Sequence, residues 1–305
     1  MKKLFLHIGM QKTGTSSIQL MLHSSEEALG KQGFFYPRLP MAGQDGIWKT
    51  AFRQNLLAAS VADYPSVFAK YAPEQIEEVR AGMLASPLVP IISAEDFSRQ
   101  KDFSRLKGLL KGFAVSVVVY LRRQDKFAES LYNQRNKILL SRMSEFLLDE
   151  TLVTSEGLNR FLTQENYTRL LDYKSLVERL RASLDLEEVH VREYERDNLV
   201  GGDVCLDFCS VLGIDASQMT LPKRDANGNV DNRYFAKLRD IYGASGKEPA
   251  MSFMQSLNDR MASGEDLSGK YALMSSEVRS AFLRQYAPNN AWISEQFGVF
   301  SVGVR

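Results

Sequence analysis

The fold is decided near the start of the chain, by the stretch LFLHIGMQKTGTSS at residues 4–17. Residues 4–8 are apolar apart from His7, which is typical of a short buried strand ending at Gly9. An apolar pattern with helical spacing follows the hydroxyl residues, and it predicts a helix that begins at Thr15. Such a turn aims backbone N–H groups at one point, where the helix dipole adds positive potential. The stretch therefore predicts an anion-binding loop.

Further strands and helices alternate along the chain. We predict strands at residues 88–93, 114–121 and 189–194, and helices at about 125–137 and 203–212. The strand at 114–121 is continuously apolar and rich in valine, as a central parallel strand buried on both faces should be. This alternation predicts an α/β fold with a P-loop-type central parallel β-sheet flanked by helices, and with a helical subdomain or lid. We expect one domain over residues 1–305, with a helical insertion at about 138–187 and a helical C-terminal region at about 230–305.

Composition limits the kinds of partner. With 38 Lys and Arg against 37 Asp and Glu, the net charge of +1 argues against a nucleic-acid binder. The longest apolar run, residues 117–121, is far shorter than the roughly 20 residues that cross a bilayer, so we expect no membrane span. Cys205 and Cys209 lie one helical turn apart and make no disulfide framework, which favours burial and a cytoplasmic location.

Charge is unevenly distributed along the chain. Residues 95–137 contain ten Lys or Arg and five Asp or Glu. A basic segment in a chain that is neutral overall favours a small anionic ligand, although a solvated charged face gives the same pattern.

The loop differs from that of the ATP- and GTP-binding proteins. Gly9 and Gly14 have the spacing of the motif G-x-x-x-x-G-K-[ST], but Thr15 occupies the position of its lysine. The lysine here is Lys12, inside the turn, where it cannot fold over β- and γ-phosphates in the same way. A Mg-dependent P-loop kinase or a nucleotide-binding protein remains the alternative interpretation.

The order Lys12-Thr13-Gly14-Thr15-Ser16 resembles the 5′-phosphosulfate-binding loop of the sulfotransferases, whose pattern is Lys-[Ser/Thr]-Gly-Thr-[Thr/Ser]. In that family the donor is 3′-phosphoadenosine 5′-phosphosulfate (PAPS) and the nucleotide product is adenosine 3′,5′-bisphosphate. The resemblance implies that Lys12 is catalytic, at the bridging oxygen and 5′-phosphate. It also implies a set of donor-binding residues: Gln11, Thr13, Gly14, Thr15, Ser16 and Ser17.

A second signature of the family is a 3′-phosphate site, formed by an arginine at a strand end and a serine eight residues later. Arg122 follows the strongest predicted strand, and Ser130 stands at that spacing. Arginine offers a planar fork to phosphate, although Arg122 and Arg123 could also mark a strand that ends in solvent. Further segments resemble the bacterial carbohydrate-type members: residues 191–195 followed by 208–214, and residues 286–291 followed by 297–298.

The catalytic base is expected at the same edge of the sheet. Glu95 comes directly after the predicted strand at 88–93, and the carboxyl ends of parallel strands meet at one edge. Alternatively, Glu95 or Asp96 caps a following helix, and Asp45 is a further candidate for the base. Three scattered histidines and two cysteines have no metal-site spacing, so we expect no metal.

The reaction class implies a hydroxyl or amine acceptor, and the resemblance to the carbohydrate-type members favours a sugar hydroxyl of a carbohydrate or glycolipid. Aromatic side chains that could line an acceptor cleft, or belong to the core, are Phe34, Phe35, Tyr36 and Trp48. A polar loop that could close over the 3′-phosphate, or be a solvated turn, contains Lys223, Arg224 and Asn229.

Overall fold

The computed structural model describes residues 1–39, 54–62, 71–142, 154–222, 231–267, 269 and 273–300. These residues belong to two compact units. The first unit comprises residues 1–123, 172–222 and 288–305, and the second comprises residues 124–171 and 223–287.

The N-terminal elements all belong to the first unit. They are β1 (Lys2–His7), α1 (Thr15–Ser24), α2 (Glu26–Lys31), β2 (Phe34–Phe35), α3 (Asn55–Ser60), α4 (Pro73–Ala85), β3 (Val89–Ser93), a 3₁₀ turn (Glu95–Arg99), α5 (Ser104–Leu109) and β4 (Phe113–Leu121).

The later elements are divided between the units. They are α6 (Gln124–Arg142), α7 (Ser155–Leu162), α8 (Glu165–Leu171), α9 (Tyr173–Ser183), β5 (Leu186–Glu193), 3₁₀ turns (Arg196–Asn198, Val200–Gly202), α10 (Val204–Leu212), a 3₁₀ turn (Ala216–Gln218), α11 (Asn232–Ser245), α12 (Lys247–Ala262) and α13 (Ser276–Phe297).

The first unit contains a five-stranded sheet in the order β2-β3-β1-β4-β5, with every pairing parallel. The α/β fold with a central parallel sheet flanked by helices is therefore confirmed. β1 lies between β3 and β4, with Leu6 opposite both Ile92 and Val117. Since all the strands are parallel, their carboxyl ends meet at one edge, where the loop after β1 also lies.

The predicted boundaries differ from the observed ones in a few places. β5 begins at Leu186 rather than at 189, because its first residues include two successive exposed glutamates, Glu187 and Glu188, and so show no apolar run. α6 continues to Arg142, beyond the predicted end at 137. β2 has only two residues, too few for any periodicity, so no sequence pattern predicted it.

One face of the sheet is covered by α1 and α10. Apolar side chains from both helices pack with Phe5, Ile91 and Val118 in one hydrophobic cluster. Cys205 and Cys209 are buried in this cluster as small apolar side chains, as the sequence analysis predicted.

A buried ion pair joins β4, β5 and α10. The carboxylate of Asp207, fully buried, accepts hydrogen bonds from Nε of Arg192 at 2.9 Å, from the hydroxyl of Tyr120 at 2.9 Å and from the amide of Val200 at 3.1 Å. Burial would raise the pKa of Asp207, but these hydrogen bonds, above all those from Arg192, hold that pKa below its ordinary value. Asp207 is therefore ionised at neutral pH.

The second unit is helical over its described residues. α6 and α13 are joined within it by an ion pair, in which Arg279 contacts Asp125 and, at 3.2 Å, Glu129. The Glu129 carboxylate also accepts the backbone amides of Leu273 and Met274, at 2.9 and 3.0 Å. Across the described ranges, no helix is both long and apolar enough to span a membrane.

We predict that Asp207→Asn lowers the free energy of unfolding by about 3 kcal/mol at neutral pH, because it leaves a mostly buried guanidinium without its carboxylate. That is the lower end of the expected range, since the Arg192 side chain is 34% exposed. Urea unfolding measures the loss. The matched control is Asp185→Asn, which removes an exposed carboxylate paired with Lys107 and should leave the midpoint unchanged.

We also predict that the difference in unfolding free energy between the wild type and Asp207→Asn depends on pH. Because the pKa of Asp207 is lower in the folded chain than in the unfolded chain, protons bind the unfolded chain first. The contribution of this carboxylate is complete above about pH 4 and disappears as the pH falls through the folded-state pKa. The difference between the wild type and Asp207→Asn should therefore shrink in acid, and a difference independent of pH would contradict the assignment.

Candidate functional site

The loop between β1 and α1 turns through left-handed backbone conformations at Gly9, Lys12 and Gly14, whose φ angles are 68°, 63° and 80°. Glycine adopts such angles freely, but a lysine does not, because its Cβ crowds the backbone. Among the described residues only Lys12 and Phe300 combine a side chain with a positive φ. Backbone strain of this kind is concentrated at functional sites, so the conformation of Lys12 favours a functional role for this residue.

Two threonine hydroxyls stabilise the turn from inside. Oγ1 of Thr13 donates to the carbonyl of Met10 at 2.8 Å, and Oγ1 of Thr15 donates to the same carbonyl at 3.1 Å. Both threonines are buried. Their hydroxyl protons are thus used within the loop, whereas Gln11, Lys12, Gly14, Ser16 and Ser17 are partly exposed.

The N-terminus of α1 begins at the end of this loop. Gly14, the residue before the helix, has no side chain that could cap the first amides. The amides of Ser17 and Ile18 bond to the Gly14 carbonyl at 2.9 and 3.1 Å, and the first turn contains no acidic residue. The positive end of the helix dipole is therefore not neutralised by a carboxylate in its own first turn.

The end of β3 lies directly against the loop. A Cβ added to Gly9 would stand 2.7 Å from the Cα of Glu95 and 3.3 Å from the carbonyl oxygen of Ala94. The structure thus brings Glu95, half-buried, beside the turn that contains Lys12. Glu95 begins a 3₁₀ turn rather than an α-helix.

Asp96, the next residue, is buried and lies 3.7 Å from the guanidinium of Arg99. Burial raises the pKa of the Asp96 carboxyl, an effect that the Arg99 charge partly opposes. Two successive carboxyl groups therefore follow β3 in different environments, that of Glu95 half-buried and that of Asp96 buried.

The ends of β4 and β5 meet at the other side of the loop. A Cβ on Gly14 would lie 2.7 Å from Cγ1 of Val204 and 3.2 Å from Cε2 of Tyr194. The guanidinium of Arg122 lies 5.9 Å from the centroid of the Tyr194 ring. Arg122 is also held through its carbonyl, which accepts the hydroxyl proton of Tyr173 at 2.5 Å. The ring of Tyr194 therefore contacts both the loop and Arg122.

Tyr194 is a site residue that no sequence motif predicted. Its position directly after β5 was the available signal, because the ends of parallel strands converge. Tyr194 continues the strand pairing beyond β5, since its amide donates to the Leu121 carbonyl at 2.7 Å.

Ser130 belongs to the second unit, where it lies on α6. Its Oγ is buried and has no hydrogen-bond partner in the structure. Its assignment to the 3′-phosphate remains a prediction from the sequence spacing. Other candidates lie outside the described residues: Asp45, Trp48, Lys223, Arg224 and Asn229.

The aromatic candidates near β2 are mostly part of the core. Tyr36 is buried, and burial raises the pKa of its hydroxyl. The ring of Phe34 packs 6.2 Å from that of Phe5. Phe35 is half-buried. For metal ions, the described ranges contain no cluster of three or more His, Cys, Asp or Glu side chains.

Comparisons with known proteins give low similarities. No protein-family model matches the chain. It is 25% identical over 214 residues to an uncharacterised protein of Archaeoglobus fulgidus, a match that covers 68% of this chain and 53% of that protein. The chain thus spans about half the length of the curated relative that it matches. The crystal structure of a sulfotransferase from Alicyclobacillus acidocaldarius is similar with a TM-score of 0.42 and 16% identity, over 88% of this chain and 98% of that one.

We predict that Gly9→Ala destabilises the first unit more than Gly33→Ala. Both glycines have positive φ angles, but a Cβ on Gly33 meets nothing within 4 Å. The conformational cost shared by both is roughly 1–2 kcal/mol, and the clash with the Glu95 backbone adds roughly 1–3 kcal/mol for Gly9→Ala. Urea unfolding of both variants measures the difference. Equal losses would contradict the close approach of the loop to the turn after β3.

Proposed function

We propose that this chain is a sulfotransferase that transfers a sulfuryl group from PAPS to a hydroxyl group of a carbohydrate or glycolipid acceptor. The observation that supports it most strongly is the arrangement around Lys12. A lysine stands in a left-handed turn at an uncapped helix N-terminus, with Glu95 on one side and the Tyr194–Arg122 pair on the other.

The proposed donor site uses two kinds of anion recognition. The 5′-phosphosulfate would bind at the loop, through backbone amides, the Lys12 ammonium group and the partly exposed side chains of Gln11, Ser16 and Ser17. The 3′-phosphate would bind Arg122, whose guanidinium presents parallel N–H groups to phosphate oxygens.

The proposed reaction is an in-line displacement at sulfur. The acceptor oxygen forms a bond to sulfur while the bond between sulfur and the 5′-phosphate oxygen breaks, and the acceptor proton passes to Glu95. Negative charge develops on the leaving phosphate oxygen, where Lys12 and the N-terminus of α1 would stabilise it. The charge stabilisation in this proposal comes from the chain itself, without a metal ion.

The proposal predicts selective stabilisation by adenosine 3′,5′-bisphosphate. A ligand present at 100 times its Kd adds about 2.7 kcal/mol to the free energy of unfolding, which raises the melting temperature measurably. Thermal unfolding should show this shift with the bisphosphate, in the presence of a chelator, and a much smaller shift with AMP, which lacks the 3′-phosphate. A response confined to Mg·ATP would overturn the proposal in favour of a Mg-dependent P-loop kinase.

The two cationic residues should have separable effects. Lys12→Ala should lower the rate of transfer about 100- to 1,000-fold, because charge on the leaving oxygen loses a donor. Alanine is the suitable replacement, since it meets the same left-handed constraint as lysine. Arg122→Ala should instead raise the Kd for adenosine 3′,5′-bisphosphate about 10- to 100-fold, the loss of one charge-assisted contact.

The control for the second variant is Arg123→Ala, which removes the neighbouring arginine. Its Kd should remain close to that of the wild type. A larger loss in Arg123→Ala than in Arg122→Ala would refute the assignment of the 3′-phosphate site, and unchanged transfer by Lys12→Ala would refute the proposed mechanism.

A further inference from the structure

Ser93, the last residue of β3, is bonded by three side chains from three different parts of the first unit. Its amide donates to Oε1 of Gln54 at 2.9 Å, and its carbonyl accepts from Nε2 of Gln19 at 2.6 Å. Its hydroxyl lies 2.7 Å from Nδ1 of His7. All four residues are buried, with Ser93 and His7 fully inaccessible to solvent.

These hydrogen bonds replace the strand pairing that β2 is too short to provide at Ser93. β2 pairs with Val89 and Pro90 only, so it ends before Ser93 is reached. A buried backbone amide or carbonyl without a partner is costly. The side-chain amides of Gln54 and Gln19 supply the acceptor and the donor that a longer β2 would have offered to Ser93.

The two glutamines connect separate segments of the chain to Ser93 at the end of β3. Gln19 lies on α1, one turn beyond the anion-binding loop. Gln54 precedes α3, and its Nε2 donates to the carbonyl of Pro37 at 3.0 Å. The end of β3 is thus fixed both to the helix that follows the loop and to the chain that follows β2.

His7 contributes a neutral partner to the cluster. Burial lowers the pKa of its imidazole to about 3, so the ring carries no charge at neutral pH. Its Nε2 has no hydrogen-bond partner, and the ring packs edge-on to Tyr120 and against Phe208. Its contact with Ser93 therefore persists over the pH range in which an enzyme works.

Glu95 stands two residues after Ser93, and its Cα already lies against Gly9. We infer that Gln19 and Gln54 are positioning residues, which hold the turn that carries Glu95 in register with the Lys12 loop. The inference rests on the proposed function, because it assigns these residues to the alignment of the base with the leaving-group site. Neither glutamine is accessible to a ligand, so each acts through its buried hydrogen bonds and not by contact with the substrate.

The test uses Gln19→Met and Gln54→Met, which keep side-chain length but remove one amide each. The matched control is Tyr120→Phe, which removes a buried hydrogen bond of 2.9 Å in the same unit, to Asp207 rather than to Ser93. Three quantities are measured for each protein: amide hydrogen exchange over residues 94–99, kcat for transfer from PAPS, and the Kd for adenosine 3′,5′-bisphosphate.

We expect exchange over residues 94–99 to become at least tenfold faster in both glutamine variants, because the turn loses its fixed end. A misplacement of about 1 Å can slow an enzymatic reaction about 100-fold, so kcat should fall about 10- to 100-fold. The Kd should change less than about threefold, since the loop amides and Arg122 are untouched. Tyr120→Phe should keep wild-type kcat and wild-type exchange in the turn, even where it loses comparable stability.

Unchanged exchange over residues 94–99 in both glutamine variants would overturn the inference, whatever the activity. Faster exchange with wild-type kcat would also overturn it, because the turn would be loosened without a catalytic consequence. A fall in kcat of equal size in Tyr120→Phe would show that a general loss of stability explains the slower reaction, and it would overturn the inference too. If the wild type transfers no sulfuryl group and does not bind the bisphosphate, the proposed function fails. The exchange measurement still shows in that case whether Gln19 and Gln54 hold the turn at residues 94–99 in place.

Discussion

The backbone that leaves β1 has to turn through left-handed conformations while it stays in contact with the ends of β3 and β5. This constraint determines much of the first unit. It leaves no room for a side chain at Gly9 or Gly14, and it directs the carbonyl of Met10 inward, onto the hydroxyls of Thr13 and Thr15. The parallel sheet makes the contact possible, because its strand ends converge on the same edge.

At this edge of the sheet, side chains form hydrogen bonds with buried polar groups near the strand ends. On one side of β1, Ser93 is bonded by side chains from α1, β1 and the residue before α3. On the other side, Asp207 collects donors from β4, β5 and the 3₁₀ turn before α10. Ser93 and Asp207, at the centres of the two clusters, are buried, and each cluster joins elements far apart in the sequence.

Local patterns predicted the elements that present the site, but not the contacts between them. The apolar run at 114–121, the glycines around Lys12 and the hydroxyls at the start of α1 each have a signature within a few neighbouring residues. These signatures were sufficient for the parallel sheet and for placing Glu95 and Arg122 at strand ends. In contrast, Gln19 and Tyr194 have their roles through residues about 74 and 180 positions away along the chain. Nothing in the neighbouring sequence distinguishes them from ordinary polar or aromatic residues.

The position of Lys12 has a consequence for any attempt to improve the durability of this protein. A non-glycine residue in the left-handed region carries a conformational cost of roughly 1–2 kcal/mol that glycine avoids. Selection for heat resistance alone, in the laboratory or by algorithm, would favour glycine at position 12. The gain in stability would come with the removal of an ammonium group from an uncapped helix N-terminus. At position 12, therefore, stability favours glycine, whereas the function proposed for Lys12 requires the ammonium group.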